Sequence, residues 1–233
     1  MKQAATEKPQ RHPAKFTDVI LKEAERLLTK HVMLGPRRPT MYDPFAGTGK
    51  GVDYFNERGW CALGTELERE WATQSTAVIN ADSLRFMRDG QVDWAMGPVD
   101  VVFTSPCYGN RMADHHAAKD TSKRNTYRHA LERELTEGNA GGMQWGEEYR
   151  SFHRETWRLV FQVVRPGGLF LLNIKDHIRK GEQVHVSEWH RETALAAGFE
   201  QVTTRWVEVP SNRFGQNHAA RVDGEWLFLF QKP

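Results

Sequence analysis

The chain has 233 residues, of which 39% are apolar and 19 are glycine, enough to bury a core; at this length one domain is expected. Lysine and arginine number 32 against 30 acidic residues, so a net charge of +2 excludes a uniformly basic coat, and any nucleic-acid surface has to be local. The longest apolar runs, 169–174 and 226–230, are far short of a bilayer span, and residues 1–15 hold no apolar signal core. Two cysteines, Cys61 and Cys107, form neither a disulfide framework nor a zinc site. A soluble, reduced, cytoplasmic protein without metal or membrane partner is expected.

Residues 1–15 carry Lys2, Lys8, Arg11 and Lys15 with Pro9 and Pro13, and read as a mobile basic lead. Phe16, Val19, Ile20, Ala24, Leu27 and Leu28 recur at helical spacing and predict an amphipathic helix to about His31, closed by Gly35-Pro36. Short apolar runs at 40–42, 61–64, 99–103 and 168–174 then alternate with helical stretches at 50–58, 71–79, 149–164 and 187–197. That alternation implies βαβ units and a mostly parallel sheet covered on both faces, an α/β fold over a single domain, 16–233. Residues 201–210 and 225–231 read as an antiparallel hairpin closing the sheet, with a polar loop between them; Trp189 and Trp206 read as core. The stretch 111–146 breaks the rhythm and reads as an insertion, a common place for function.

Asp43-Pro44-Phe45-Ala46-Gly47-Thr48-Gly49-Lys50-Gly51 follows a predicted strand and opens a helix. Glycines there admit close backbone approach, and a helix N-terminus favours electron-rich groups. The phosphate-loop pattern fails at Pro44 and Gly51, and the dinucleotide pattern fails at Val52. An acid at the head of the turn suits an ammonium group, and Glu66, at the end of the next strand, is placed to take both hydroxyls of a ribose. Together they describe a nucleoside joined to an amino acid, as in S-adenosylmethionine (SAM). Asp82 suits either an adenine amino group or a helix cap.

The run Val99-Asp100-Val101-Val102-Phe103 ends in Thr104-Ser105-Pro106-Cys107-Tyr108. With the DPFAGTG turn, this resembles the SAM-dependent amino-methyltransferases of DNA, whose signatures are DPFAGSG and [SDN]-P-P-[YFW]. A leading serine is closer to the cytosine-N4 than to the adenine-N6 subset. His12-Pro13-Ala14-Lys15 resembles the HP-x-K-P stretch of that family, with Phe16 in place of its proline. The resemblance implies a Rossmann-like methyltransferase fold, with SAM held by Lys15, Phe16, Asp43, Phe45, Ala46, Gly47, Gly49, Glu66, Leu67, Asp82 and Ser83. It also implies a catalytic turn made of Ser105, Pro106, Cys107 and Tyr108. An exocyclic amine is a poor nucleophile because its lone pair is delocalised into the ring. In the family, the Ser105 hydroxyl and Pro106 carbonyl would accept its N–H groups and free that lone pair, while Tyr108 would stack on the extruded base. Cys107 departs from the second proline. Pro-Cys also marks the cytosine-C5 enzymes, whose cysteine attacks as a thiolate, but the Glu-Asn-Val element of that family is absent, and Cys107 reads as a small apolar replacement.

Within the insertion, Arg111, Lys119, Lys123, Arg124, Arg128 and Arg133 outnumber three acids, with Tyr127 and Trp145 as stacking surfaces. Arg111, Lys123, Arg124, Tyr127 and Arg128, together with Asn212 and Arg213 in the late loop, are the candidate contacts to DNA, RNA remaining possible. His115-His116 lacks a third ligand at metal spacing. Lys175, Asp176 and His177 either line the pocket or cap the next element. The rival readings are an RNA guanine-N2 methyltransferase and an inert SAM- or nucleic-acid-binding module. Restriction–modification and solitary enzymes are both open.

Overall fold

The computed structural model describes residues 10–32, 36–113, 126–179, 181–209 and 222–233. Seven strands form one sheet: β1 (Thr40–Asp43), β2 (Cys61–Glu66), β3 (Val78–Asn80), β4 (Val99–Thr104), β5 (Val164–Ile174), β8 (Glu200–Glu208) and β9 (Gly224–Gln231). Their order is β3-β2-β1-β4-β5-β9-β8, with the first five strands parallel and β9 antiparallel to both β5 and β8. A two-stranded hairpin, β6 (His177–Arg179) and β7 (Glu182–Val184), stands apart. The fold expected from the alternation is therefore the observed one, including the closing hairpin.

Each face of the sheet is covered because its strands are apolar on both sides, as parallel strands require. Helix α1 (Asp18–His31) starts at Thr17, whose hydroxyl accepts from Ile20 N at 3.3 Å, and ends with Lys30 and His31 in its last turn. It buries Ile20, Leu21, Ala24, Leu27 and Leu28 in the cluster that holds Met41, Val101, Phe103, Leu171 and Leu229. On the other face, α7 (Glu147–Val163) and α8 (Val186–Ala196) bring Trp157, Val160, Val186 and Ala194 to Tyr42, Val102, Phe170, Leu172, Phe228 and Phe230.

Several expectations need correction. The helix predicted over 71–79 is only α3 (Arg69–Ala72), and the chain then re-enters the sheet as β3. The Ser75 hydroxyl bonds Asp53 Oδ1 at 2.6 Å and accepts from Ala77 N, a local turn that competes with helix, and residues 78–80 pair with 64–66. Two short helices, α4 (Ser83–Arg88) and α5 (Gln91–Met96), follow, neither of them predicted. Trp206 is not core: it is 42% exposed on the edge strand, packed edge-on to Trp226. Cys61, expected in a core strand, is exposed at the first position of β2. Part of the predicted mobile lead is packed, since the His12 ring sits edge-on to Trp71 at 4.2 Å and Gln10 bonds both Ala130 and Gln74. Among the described residues no helix is long and apolar enough to cross a membrane.

Candidate active site

The strand order reverses beside β1, whose neighbours are β2 on one side and β4 on the other, so a crevice opens past the carboxyl ends of β1 and β4. Both predicted turns leave the sheet there. The DPFAGTG turn follows β1 and leads into α2 (Lys50–Asn56); Ser105-Pro106-Cys107-Tyr108 follows β4. They are joined directly: the Thr104 hydroxyl donates to Asp43 Oδ1 at 2.6 Å, and Phe45 N donates to the same oxygen at 2.9 Å. Asp43 is buried, and burial pushes its carboxyl up to about 7 against those two donors.

The glycines are required by contact as well as by conformation. Gly49, the N-cap of α2, has φ +83°, and a Cβ there would lie 2.4 Å from the Ser75 Cβ. Gly49→Ala is expected to lower stability by about 1–2 kcal/mol or more from the left-handed backbone alone, a loss of several degrees in Tm by calorimetry. Gly47 has φ +55°, and the His12 ring lies over it, with Nε2 3.3 Å from where a Cβ would stand. Ala46 N donates to Thr65 O at 3.0 Å, which ties the turn to the tip of β2.

Glu66 ends β2 beside this turn. Its Oε1 accepts from Glu68 N at 2.7 Å; burial pushes the carboxyl up to about 7, with the backbone N–H groups of Glu68, Gly47 and Leu67 acting the other way. A buried carboxyl, Asp43, and a half-buried one, Glu66, thus flank one glycine turn, each able to bind a donor such as an ammonium or a ribose hydroxyl. Phe45 lies among Phe152, His153 and Trp157, and Phe16 stacks on Phe103 at 4.8 Å, while Lys15 is exposed. Ser83 is buried with its hydroxyl on the Pro44 carbonyl, and Asp82 caps α4 by accepting from Arg85 N at 3.1 Å.

In the second turn, Ser105 Oγ lies 2.9 Å from the Tyr108 hydroxyl, and Tyr149 donates to the Cys107 carbonyl at 2.6 Å. Gly109 (φ +62°) accepts from Trp145 N at 2.9 Å, and a Cβ on it would meet that nitrogen at 2.8 Å. Cys107 packs with Trp71, Tyr127 and Leu131, and burial pushes its thiol up to about 12. Apolar surroundings of this kind disfavour the thiolate that a nucleophilic cysteine needs.

The insertion does lie between β4 and α7, but its side chains differ from expectation. Tyr127, expected to offer a stacking surface, is 6% exposed and lies edge-on to Trp71 at 5.9 Å, because α6 (Tyr127–Leu131) packs its ring inward. Arg128 pairs with Glu134 at 2.7 Å. Arg133, counted with the phosphate-gripping cations, is engaged by Glu68 and Glu70, each at 2.6 Å. Arg111 opens a 3₁₀ turn, Arg111–Ala113. Lys119, Lys123, Arg124, His115, His116, Asn212 and Arg213 lie outside the described residues. At the tip of β5, Asp176 caps, accepting from Ser187 N at 2.8 Å and Gln183 at 3.0 Å. Among the described residues no group of three or more His, Cys, Asp or Glu side chains is gathered as metal ligands would be.

Sequence reasoning passed over two groups. Glu68 is fully buried, and its two oxygens accept from Arg133, Thr136 N, Thr136 Oγ1 and Asn139 at 2.6–3.0 Å, which fastens the later half of the insertion to the end of β2. Glu225, at the start of β9, lies against Tyr108 and Asn173; burial raises its carboxyl, with the Lys175 charge pulling down. Neither carries a local signal, since each partner is distant in sequence.

No family model matches the chain, and no curated protein does. Solved structures do. A SAM-dependent methyltransferase from Archaeoglobus fulgidus superposes with TM-score 0.55 at 11% identity, over 91% of this chain and 93% of that one. A SAM-dependent methyltransferase from Agrobacterium tumefaciens gives 0.53 at 12% identity, over 91% of this chain and 62% of that one. The chain has the α/β Rossmann-like fold of SAM-dependent methyltransferases.

Proposed function

We propose that this protein transfers the methyl group of SAM to an exocyclic amino group of a DNA base, cytosine N4 ahead of adenine N6. The observation that carries the reading is the Thr104–Asp43 hydrogen bond, which joins the glycine turn and the Ser105–Tyr108 turn at adjacent strand tips. Asp43 would take the ammonium of SAM and Glu66 its ribose hydroxyls, with the glycine turn against the methionine moiety. SAM supplies an electrophilic sulfonium methyl. The Ser105 hydroxyl and Pro106 carbonyl would accept the N–H groups of the amine, and its freed lone pair would attack that methyl in line. The N–C bond forms as the C–S bond breaks, S-adenosylhomocysteine leaves as a neutral thioether, and the methylated nitrogen releases one proton to solvent. Positioning supplies much of the rate, without a strong base. The elevated thiol of Cys107 favours this chemistry over C5 attack, which needs a thiolate.

The test is incubation with labelled SAM and unmethylated DNA or RNA, followed by nucleoside mass spectrometry. N4-methylcytosine in DNA is the expected product, with N6-methyladenine second. N2-methylguanosine in RNA, or SAM binding without product on either polymer, overturns the reading.

A further inference from the structure

The catalytic turn is held from behind by a chain of three hydrogen bonds whose direction is fixed by chemistry. Trp157 Nε1 is a donor only, and it lies 2.9 Å from His190 Nδ1, which must therefore accept. A ring accepting at Nδ1 is neutral and carries its proton on Nε2, 2.8 Å from the Tyr149 hydroxyl. That hydroxyl has one proton, and the Cys107 carbonyl, 2.6 Å away, offers only lone pairs. The run is Trp157 to His190 to Tyr149 to the Cys107 carbonyl, with no member able to turn round unless another is left unsatisfied. Trp157, Tyr149 and His190 are all fully buried, where an unmade hydrogen bond costs most.

We propose that Tyr149 and His190 are positioning residues for methyl transfer, a one-way relay that fixes the Cys107 peptide and so holds the Ser105 hydroxyl and Pro106 carbonyl in the geometry that receives the amine. The inference rests on the amino-methylation reading. Between Ser105 and Tyr108 the backbone has few soft torsions: the Pro106 ring sets φ at 106, and a residue before proline is itself restricted. The remaining freedom lies at Cys107, where the resembling motif has a second proline. Here a hydrogen bond from α7 replaces the missing ring constraint. Helix α8 contributes through His190, and α7 contributes Tyr149 and Trp157, so two helices packed on that face of the sheet together support the reacting turn.

Four variants test this, with kcat from product formation, SAM affinity from calorimetry and Tm measured on each. Tyr149→Phe keeps the ring and removes the donor; kcat should fall about 10-fold or more, with SAM affinity within twofold of wild type. Leu159→Ala, buried on α7 away from the turn, should lower Tm comparably and keep wild-type kcat at 25 °C. His190→Gln retains a side-chain N–H for Tyr149 and should keep most of the kcat that His190→Leu loses, a comparison that decides the matter even if Tyr149→Phe does not fold. Wild-type kcat in Tyr149→Phe, equal kcat in the two His190 variants, or a matching kcat loss in Leu159→Ala overturns the relay alone. A wild-type protein that methylates no base overturns the amino-methylation reading, and the relay with it.

Discussion

Replacing Ser105 by alanine is expected to lower methyl transfer about 10²-fold, the scale for removing one pre-oriented hydrogen-bonding group at a reacting centre. SAM affinity should stay within twofold of wild type. The two effects separate because of where the residue stands: Ser105 follows β4, while Asp43 and Glu66, the carboxyls assigned to the cofactor, end β1 and β2. The Tyr108 hydroxyl donates its proton to Glu225, so in the 2.9 Å contact the Ser105 proton goes to Tyr108 and the Ser105 lone pairs remain for the amine. Single-turnover measurements with saturating SAM read the chemical step directly. An unchanged rate in Ser105→Ala removes this residue from the reaction.

Asp43→Asn is expected to act in the opposite way, weakening SAM about 10- to 100-fold at pH 8, the loss of a charge-assisted hydrogen bond to the ammonium. The pH dependence follows from burial. Asp43 and Glu66 are each pushed up to about 7, and each binds its donor as a carboxylate. Below pH 7 they must lose protons for the cofactor to bind, so affinity falls as pH falls and levels off by about pH 8. Each carboxyl contributes up to about tenfold per pH unit. Calorimetry at pH 7 in two buffers of different ionisation heat should therefore show proton release on binding. Asp43→Asn should flatten the profile by one carboxyl's share, and a wild-type affinity independent of pH between 6 and 8 would contradict both assignments.

The two turns were legible in sequence because each is a local object: an apolar run followed at once by residues whose backbone demands or side-chain chemistry are visible in a window of about ten. Gly47 and Gly49, both at positive φ, and the acid at position 43 are of that kind. The closing hairpin was legible for the same reason. What could not be read depends on partners far along the chain. Residues 71–79 have helical apolar spacing, yet Val78–Asn80 is a strand because β2 offers a free edge to pair with. Trp206 looks like core by residue type, but β8 is the outermost strand of the sheet and leaves this side chain 42% exposed. A count of cations in the insertion cannot know that Arg133 is taken by two glutamates 63 and 65 residues earlier. The Tyr149–His190 pair, 41 residues apart in sequence, joins two helices to a turn neither adjoins. Such couplings are set by packing, and no period or motif announces them.

Methyl donor and amine acceptor are expected to meet between the tips of β1 and β4. A crystal structure with S-adenosylhomocysteine bound tests it most directly. Its amino group is expected at Asp43, its ribose at Glu66 and its sulfur turned toward the Ser105–Tyr108 turn. A ligand seated elsewhere, or one whose sulfur faces away from Ser105, contradicts it.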